Sequence, residues 1–444
     1  MERILQHFHE VIIGLPLTMV IFSAGVFLTY RLRGLQLRKF LYVLRSTLGD
    51  LFAPGGERTV GEITPFQALT TALAATVGTG NITGVATALF LGGPGAIFWM
   101  WISAFFGMAT KYSEIVLAIK YRSRSGGSFS GGPMYFLHSG LRSPLLASLF
   151  SILGALAAFG IGNMVQANSV SSAAGATFGV SPYLSGSIMA LLCGLVIFGG
   201  LRRIALITSA IVPFMALFYF LGGSIVLFVF RTQIPTAFLT IVAGAFQGKA
   251  ALGGVAGGAV LQAWRIGIAR GIFTNEAGLG SASIAHAAAR TPHPSRQGMW
   301  GILEVFIDTH IICTLTALVL IVTGAWRTGL DGSAMTAWAF SRGLPGKMGQ
   351  YIVTIGLIFF AFSTLLTWYY YGVECAGYIF GKGLARTYRF LWIIFIFVGS
   401  IGGLRVVWGL ADILNGLMAI PNLVGLVALS GVTVRLTKEY ISTW

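Results

Sequence analysis

Charged residues are scarce in this 444-residue sequence, and acidic residues are scarcer than basic ones. Asp, Glu, Lys and Arg make up 9% of the chain, with 13 acidic against 29 basic residues. Soluble globular proteins carry about 25% charged residues, so this shortage excludes an ordinary soluble domain. Hydrophobic residues reach 56% of the chain, which is typical of a protein that crosses a membrane many times.

Cysteine is also scarce, and metal-ligand spacing is lacking. Cys193, Cys313 and Cys375 lie singly in apolar runs, which excludes a disulfide framework and a cysteine-based metal site. No HExxH or paired-histidine spacing and no nucleophile–base pattern of an enzyme occurs. The net charge of +16 lies in short clusters between apolar segments, without the basic face of a nucleic-acid-binding protein. We therefore expect no enzyme, no resident cofactor or metal, and no nucleic-acid partner.

Apolar segments of about 20 residues, the length that crosses a hydrocarbon core, occur eleven times. The spans lie near residues 11–30, 66–91, 95–119, 145–170, 183–201, 204–230, 258–289, 298–323, 350–379, 388–406 and 409–434. With the N-terminus outside, the inner segments hold 19 Lys and Arg residues and the outer segments seven. This asymmetry predicts a multi-pass protein of the cell membrane, a bacterial inner membrane, with its C-terminus in the cytoplasm.

The odd number of spans contains a symmetry. When the first span is set aside, spans 2–6 and 7–11 form two groups of five with opposite topology, and the centres of spans 2 and 7 are both disturbed. Such interruptions at matching positions of inverted halves are typical of a secondary-transporter site near the midplane. We divide the chain into an extra N-terminal transmembrane helix (1–34), a cytoplasmic basic amphipathic segment (35–65), the first inverted repeat (66–230), an outer interfacial segment (231–257), the second inverted repeat (258–434) and a cytoplasmic tail (435–444).

The interruption in span 2 reads VGTGN, residues 77–81. Unpaired backbone costs several kcal/mol in hydrocarbon, so an unwound turn survives only inside protein or beside a wet cavity. We expect the first half-helix to end near Val77 and a second half to begin at Asn81 as its N-cap. Free carbonyls then face a cation such as Na⁺, and free N–H groups face a carboxylate. Alternatively, Gly80 and Gly84 serve only close helix packing.

The disturbed centre of span 7 reads ARGIFTNEAGLGSAS, residues 269–283. We expect a first half that ends near Ile272, and Thr274 and Asn275 as caps of a half that starts at Glu276. The carbonyls of the first half suit an ammonium group, so the two breaks together suit a zwitterionic amino acid. For Glu276 three roles stay open: holding the unwound segment together, contacting substrate or cation, or carrying a proton.

Hydroxyl groups on a facing helix are expected to complete the cation site. Span 9 contains FAFSTLLTWYYYG, in which Ser363, Thr364 and Thr367 lie within about one turn of one another. Trp368 shares the face of Thr364 and either walls a pocket or fills a helix interface. As the alternative, each hydroxyl bonds the carbonyl of its own preceding turn. The predicted cation ligands are Ala74, Val77, Gly78, Ser363 and Thr364.

Charges within the spans need partners, because an unpaired charge is costly at a helix centre. Glu304 and Asp308 share one face of span 8, where we expect an ion network with Arg265 or Arg270 of span 7, or else a proton relay.

Polar side chains in spans 3 and 4 also need partners. Lys111 and Glu114 of span 3 are spaced to pair with each other. In span 4, Gln166 and Asn168 suit amide–amide bonding between helices.

Several long motifs resemble those of the alanine/glycine:cation symporter family, the sodium:alanine symporters. They are TALAATVGTGNITGVATA, GGPGAIFWMWISAFFGMATKYSE, SGGPMYF, GIGNMVQANS, RGIFTNEAGLGSASIAHAAA and AIPNLVGL, and the resemblance covers nearly the whole chain. It implies an all-α membrane protein with a leucine-transporter-type core of five-plus-five inverted repeats and one extra N-terminal helix. It also implies Na⁺-coupled uptake of alanine and glycine by alternating access, with a proton-coupled transporter as the alternative. The expected partners are the small amino acid and the lipid bilayer, and the protein is expected to be a monomer.

The resemblance also implies site residues. The substrate-binding residues it implies are Thr79, Gly80, Asn81, Gln166, Gly271, Phe273, Thr274, Asn275, Thr364 and Trp368. Thr79, Gly80 and Asn275 are expected to bind the backbone of the amino acid, and Phe273 and Trp368 to crowd its side chain. Glu276 is expected to be a structural or coupling charge.

Overall fold

The computed structural model describes residues 14–52, 60–125, 128–247, 256–381, 383–402 and 405–442, and it is mostly helical. In the first half of the chain the helices are α1 Leu15–Arg31, α2 Leu35–Arg38, α3 Phe40–Phe52, α4 Pro65–Thr76, α5 Val85–Gly92, α6 Gly95–Lys120, α7 Pro133–Tyr135, α8 Pro144–Ala157, α9 Val165–Phe178, α10 Pro182–Ile197 and α11 Gly200–Val229. In the second half they are α12 Ile234–Phe246, α13 Ala256–Asn275, α14 Ser281–Ala287, α15 Pro294–Val305, α16 Thr314–Val322, α17 Gly332–Gly343, α18 Met348–Phe380, α19 Leu384–Ile401, α20 Arg405–Ala428 and α21 Ser430–Ser442. Two short antiparallel strands, β1 Ser123–Ser125 and β2 Ser128–Ser130, follow α6.

Several helices begin at a Ser-Pro or Thr-Pro pair. Thr64 and Gln67 form a reciprocal capping box before α4, with N–O distances of 3.1 and 3.0 Å. Ser143 and Ser181 cap α8 and α10 in the same way, each by accepting a backbone N–H bond. In all three cases proline occupies the first helical position, where its missing N–H costs nothing. These local signals fix where the spans start.

Wider π-helical turns join helices into longer segments. Ala158–Met164 connects α8 to α9, and Phe306–Cys313 connects α15 to α16. A third π-helical turn, Gly80–Gly84, precedes α5. Such turns are frequent at functional sites, and the second and third contain residues predicted above.

Six helical segments of the described chain are long and apolar enough to cross a membrane. The count is seven when α4 and the segment Gly80–Gly92, which are bent by 52° at their break, form one span. The helices α1 and α10 are shorter and apolar. The eleven-span count and the division into two inverted repeats stay predictions.

Helix α6 lies at the centre of the packing. It contacts α1, α12, α13, α14 and α15, and its second half, from Gly107 to Ile119, is buried. By contrast, α11 exposes large apolar side chains such as Leu206, Phe214 and Phe228. A face of this kind suits lipid contact, so α11 lies at the periphery.

The end of the molecule that the charge asymmetry predicts to be cytoplasmic is closed by backbone contacts. Ile63 and Ala289 form a parallel bridge. Arg122 donates to the carbonyls of Ala287, Ala289 and Val60 at 2.8–2.9 Å. This clamp joins the start of span 2 to the end of span 7.

Candidate functional site

The first break lies where VGTGN predicts it. Helix α4 ends at Thr76, and Val77 leaves the helix with φ −76° and ψ 87°. The chain becomes helical again at Gly80, through the π-helical turn. We expected Asn81 to cap the second half, but it does not. Its side-chain oxygen reaches back instead to accept a hydrogen bond from the Gly78 N–H at 2.8 Å.

The second break lies about four residues beyond the predicted position. Helix α13 continues to Asn275, and α14 starts only at Ser281, preceded by Gly280. The expected end near Ile272 and start at Glu276 are therefore wrong. Glu276 lies in the break itself with φ 54°, a left-handed conformation that is uncommon for a residue with a side chain.

Polar side chains link the two breaks through span 8. Asn81 Nδ2 donates to Asp308 Oδ1 at 2.8 Å, and Thr309 Oγ1 donates to the other carboxylate oxygen at 2.8 Å. Thr309 Oγ1 in turn accepts a bond from Asn275 Nδ2 at 3.3 Å. Asp308 is fully buried on the π-helical turn Phe306–Cys313. A chain of hydrogen bonds thus runs from one break to the other.

The backbones of spans 2 and 7 also meet directly. A Cβ built on Gly80 would lie 3.4–3.5 Å from atoms of Thr274, so these two residues are in contact. The Thr274 hydroxyl donates to the Arg270 carbonyl within its own helix at 2.7 Å. Thr79, beside Gly80, is 6% exposed.

Hydroxyl groups of span 9 converge on the end of α4. Ser363 Oγ and Thr364 Oγ1 lie 3.2 and 3.0 Å from the Ala74 carbonyl oxygen. Both also lie 2.9 Å from the Phe360 carbonyl of their own helix. A Cβ on Gly78 would come 3.0 Å from Thr364 Oγ1. The structure therefore brings together the neutral oxygen atoms of three predicted cation ligands, Ala74, Ser363 and Thr364. The other two, Gly78 and Val77, adjoin them.

Trp368 and Glu276 meet in the second break. The Trp368 indole N–H donates to Glu276 Oε1 at 3.1 Å, and Ser281 Oγ donates to Glu276 Oε2 at 2.6 Å. Because Ser281 starts α14, this carboxylate ties the unwound segment to the next half-helix and to span 9. These contacts match the first of the three roles considered for Glu276.

The charges of spans 3 and 8 form pairs other than those expected. Lys111 Nζ lies 3.3 Å from Glu304 Oε1, and His286 Nε2 lies 3.1 Å from Glu304 Oε2. Neither Glu304 nor Asp308 pairs with Arg265 or Arg270. Those two arginines line a cavity between α1, α13 and α20.

Glu114 does not form the expected pair with Lys111. Its Oε1 accepts bonds from the Gly278 and Gly280 N–H groups and from Asn422 Nδ2, at 2.8–3.0 Å. Glu114 therefore satisfies the unwound backbone of span 7. Gly278 and Gly280 have φ of 101° and 83°, which only glycine adopts readily.

The span 4 amides bond backbone carbonyls rather than each other. Asn168 Nδ2 donates to Gly402 O at 3.0 Å, and Gln166 Nε2 donates to Ile161 O at 3.1 Å. The Gln166 Oε1 atom is buried and has no hydrogen-bond partner among the described residues. Gln166 lies one turn after Gly162. A Cβ built on Gly162 would overlap the Trp368 side chain, so span 4 packs closely against Trp368 at this turn.

Two predicted residues lie away from the breaks' facing surfaces. Gly271 packs against Ser103, where a Cβ would lie 3.0 Å from the side chain. Phe273 lines a cavity between α1, α13 and α20, and so does not lie between the two breaks.

Asp308, Glu114 and His286 are the site residues whose partners sequence reasoning missed. The sequence did indicate that each of them has a partner, because burying a charge or an imidazole in an apolar run is costly without one. The partner itself lies 18 to 308 residues away in the chain. Within the described ranges, no group of three or more His, Cys, Asp or Glu side chains is arranged to hold a metal ion.

Comparisons with known proteins agree with this geometry. The sodium:alanine symporter family model matches residues 1–443. The sodium/alanine symporter AgcS of Methanococcus maripaludis is 49% identical over 436 residues, which cover 96% of this chain and 94% of that protein. The probable sodium/glutamine symporter GlnT of Bacillus subtilis is 38% identical over 446 residues, covering 99% and 91%.

A solved structure shows the same fold. The crystal structure of MhsT in complex with L-phenylalanine covers 84% of this chain and 90% of its own, with a TM-score of 0.59 and 11% sequence identity. That likeness supports the leucine-transporter-type architecture expected from the motifs. From the family model and the identity to AgcS, we conclude that this chain belongs to the sodium:alanine symporter family.

Proposed function

We propose that this protein couples Na⁺ entry to the uptake of a small neutral amino acid, alanine foremost and glycine also. The observation that carries the proposal is the convergence of the Ser363 and Thr364 hydroxyls on the Ala74 carbonyl at the end of a broken helix. Hydroxyl and carbonyl oxygens coordinate Na⁺, whereas neither binds a proton near neutral pH. The relationship to AgcS, named a sodium/alanine symporter, supports the same ion and substrate.

The substrate carboxylate and ammonium are assigned to the two breaks. Free N–H groups near Thr79 and Gly80 suit the carboxylate, because a half-helix N-terminus attracts an anion. The partnerless, buried Gln166 Oε1 and the carbonyls at the end of α13 suit the ammonium. Trp368, packed against Gly162, leaves room only for a small side chain.

Coupling follows from a shared element. Gly78 lies next to Thr364, which forms the cation cluster together with Ala74 and Ser363. The Gly78 N–H donates to the Asn81 side chain, and the Asn81 amide donates to Asp308. Ordering of this turn by Na⁺ therefore preforms the amino-acid site. Substrate enters from outside, spans 2 and 7 rock against the remaining helices, and the Arg122 clamp opens for release inside. We place this movement on eleven spans with five-plus-five inverted repeats, in a monomer of the cell membrane with a cytoplasmic C-terminus.

A proton-coupled amino-acid transporter is the second candidate. It is favoured by the buried carboxylates of Glu276 and Asp308, which lie in and beside the breaks. Either could exchange a proton during the cycle in place of a cation bound at Thr364.

Purified protein in liposomes separates the two candidates. We expect labelled alanine to accumulate under an inward Na⁺ gradient at equal pH on both sides, and unlabelled glycine to compete. An inward proton gradient in Na⁺-free buffer should drive no accumulation. Uptake that follows the proton gradient alone would assign the function to the second candidate.

A further inference from the structure

A cavity of about 220 Å³ lies between α1, α13 and α20. Pockets for drug-sized ligands measure about 300–1,000 Å³, so this one suits a ligand of amino-acid size. Its lining contains no residue of α4, α9 or α18, but it includes Leu279 of the second break. The cavity therefore adjoins the second break and does not reach the first. The cavity is lined by α13, the helix that precedes the second break. The charge asymmetry predicts that this helix lies on the outer side of the break.

The lining carries both signs of charge. Arg265 and Arg270 come from α13, and Asp412 and Asn415 come from α20. The Arg270 guanidinium lies 5.8 Å from the centre of the Phe273 ring, which holds it at the cavity wall. A guanidinium binds a carboxylate through paired hydrogen bonds, so the α13 wall suits an anionic group.

The opposite wall offers an acceptor that lacks a partner. Asn415 is 6% exposed, and its Oδ1 atom has no hydrogen-bond partner among the described residues. A buried amide oxygen without a donor costs about 1–3 kcal/mol, and a ligand that donates hydrogen bonds removes that cost. An ammonium group is such a ligand. The apolar residues Leu17, Ile21 and Phe273 complete the lining.

Two isoleucines separate this cavity from Asn275 at the second break. Ile21 and Ile272 line both the cavity and a second void of about 10 Å³, whose other lining residues include Asn275 and Ala277. A void of that size is barely large enough for one water molecule. The two isoleucines therefore form a closed wall between the cavity and Asn275.

We propose that this cavity is a second, outer binding site for a zwitterionic amino acid, from which substrate passes to the site between the breaks. Arg270 holds the carboxylate, Asn415 holds the ammonium, and the extra helix α1 supplies the apolar wall. The proposal rests on the proposed function for the identity of the ligand. It also assigns a role to α1, which lies outside the two predicted repeats.

A cysteine in the cavity tests the outer site. The three native cysteines are buried, so Ala269→Cys, which lines the cavity, provides a single reactive thiol for a charged thiosulfonate reagent. We expect alanine to slow its modification both in the otherwise native chain and together with Asn81→Ala, which disables the site between the breaks. The control Ala334→Cys, exposed on α17 away from the cavity lining, should react at the same rate with or without alanine.

Arg270→Gln then identifies the ligand's anchor. In the Ala269→Cys, Asn81→Ala background, Arg270→Gln should raise the alanine concentration for half-protection about tenfold, whereas Arg342→Gln should not change it. Protection that disappears with Asn81→Ala, or that Arg270→Gln leaves unchanged, would overturn the outer site. Absence of Na⁺-driven alanine uptake by the unaltered protein would instead refute the proposed function.

Discussion

The Asn81 amide donates a 2.8 Å hydrogen bond to the Asp308 carboxylate, across 227 residues of sequence. The same Asn81 side chain accepts the Gly78 N–H of the first break. Through Thr309, the same carboxylate reaches Asn275 at the second break. One buried acidic residue therefore links the turn of the first break to Asn275 at the edge of the second.

Replacement of Asp308 by alanine leaves Thr309 without its acceptor. Asn81 Nδ2 loses its 2.8 Å bond to the carboxylate and keeps only the longer contacts to the Asp308 main-chain oxygen and Cys313 Sγ, at 3.2 and 3.3 Å. Each unpaired buried group costs about 1–3 kcal/mol, so we expect alanine affinity to fall at least about tenfold. Asp308→Asn keeps an acceptor oxygen and should lose less. Equilibrium binding of labelled alanine to the purified protein measures both effects, and unaltered binding by Asp308→Ala would contradict this role.

The cation cluster predicts a Na⁺-specific defect. Thr364→Val removes one oxygen ligand while keeping the shape of the side chain, so the Na⁺ concentration for half-maximal uptake should rise about tenfold. Uptake at saturating Na⁺ should change much less. Thr354→Val removes a buried hydroxyl from the same helix, one that bonds Thr177 instead, and should leave the Na⁺ dependence unchanged. Equal shifts in the two variants would argue against the cluster.

Two glycines of span 2 should respond differently to alanine. A Cβ on Gly78 would lie 3.0 Å from Thr364 Oγ1, whereas a Cβ on Gly84 meets nothing within 4 Å. Gly78→Ala should therefore abolish Na⁺-stimulated uptake. Gly84→Ala should preserve it and raise stability by up to about 1 kcal/mol, since alanine favours helix. Thermal unfolding and uptake are measured on the same samples. Na⁺-stimulated uptake by Gly78→Ala protein would contradict the prediction.

The bond between Trp368 and Glu276 predicts non-additive effects. Trp368→Phe removes the indole donor, and Glu276→Gln weakens the same bond because a neutral amide oxygen replaces the charged acceptor. Each change should lower the uptake rate about tenfold, while the double variant should be little worse than either, because both act on one interaction. Trp326→Phe, outside the site, serves as the control. Fully additive losses would show that the two residues act independently.

The closed end, which the charge asymmetry predicts to be cytoplasmic, should control access to the site. Arg122→Gln removes the clamp on Ala287, Ala289 and Val60, so a cysteine placed at the buried Ala282 of α14 should react about tenfold faster with a reagent applied inside. Arg124→Gln changes a neighbouring arginine that stacks on Phe129 and should not alter the rate. If the clamp had no function, the cysteine at position 282 would be modified at the same rate in the Arg122→Gln, the Arg124→Gln and the unaltered-arginine proteins.

The first break could be predicted almost to the residue, and the second could not. Gly78, Gly80 and Asn81 are weak helix formers in one short stretch, so the local signal was sufficient. In span 7, Thr274 and Asn275 resembled N-caps, but the chain unwinds only after them, at the positive-φ glycines Gly278 and Gly280. The spacing of the glycines in AGLG was the better signal.

The partners of buried polar groups could not be predicted from local pattern. Lys111 was assigned to Glu114, three residues away, yet it lies next to Glu304 of span 8. Glu114 turns instead to the backbone of the second break. Such choices depend on how helices pack, and side-chain spacing along one helix carries no information about the facing helix. The Ser363 and Thr364 hydroxyls could be predicted because a cation site needs oxygen ligands and span 9 places these hydroxyls within about one turn of each other.

The most direct measurement is Na⁺-driven alanine accumulation in liposomes at equal pH, compared between the unaltered protein and the double variant Ser363→Ala, Thr364→Val. The account predicts accumulation that depends on Na⁺ in the first and is lost in the second, while alanine uptake down its own gradient persists at a reduced rate. Na⁺-driven accumulation that is equal in both proteins would contradict the assignment of the ion to Ala74, Ser363 and Thr364.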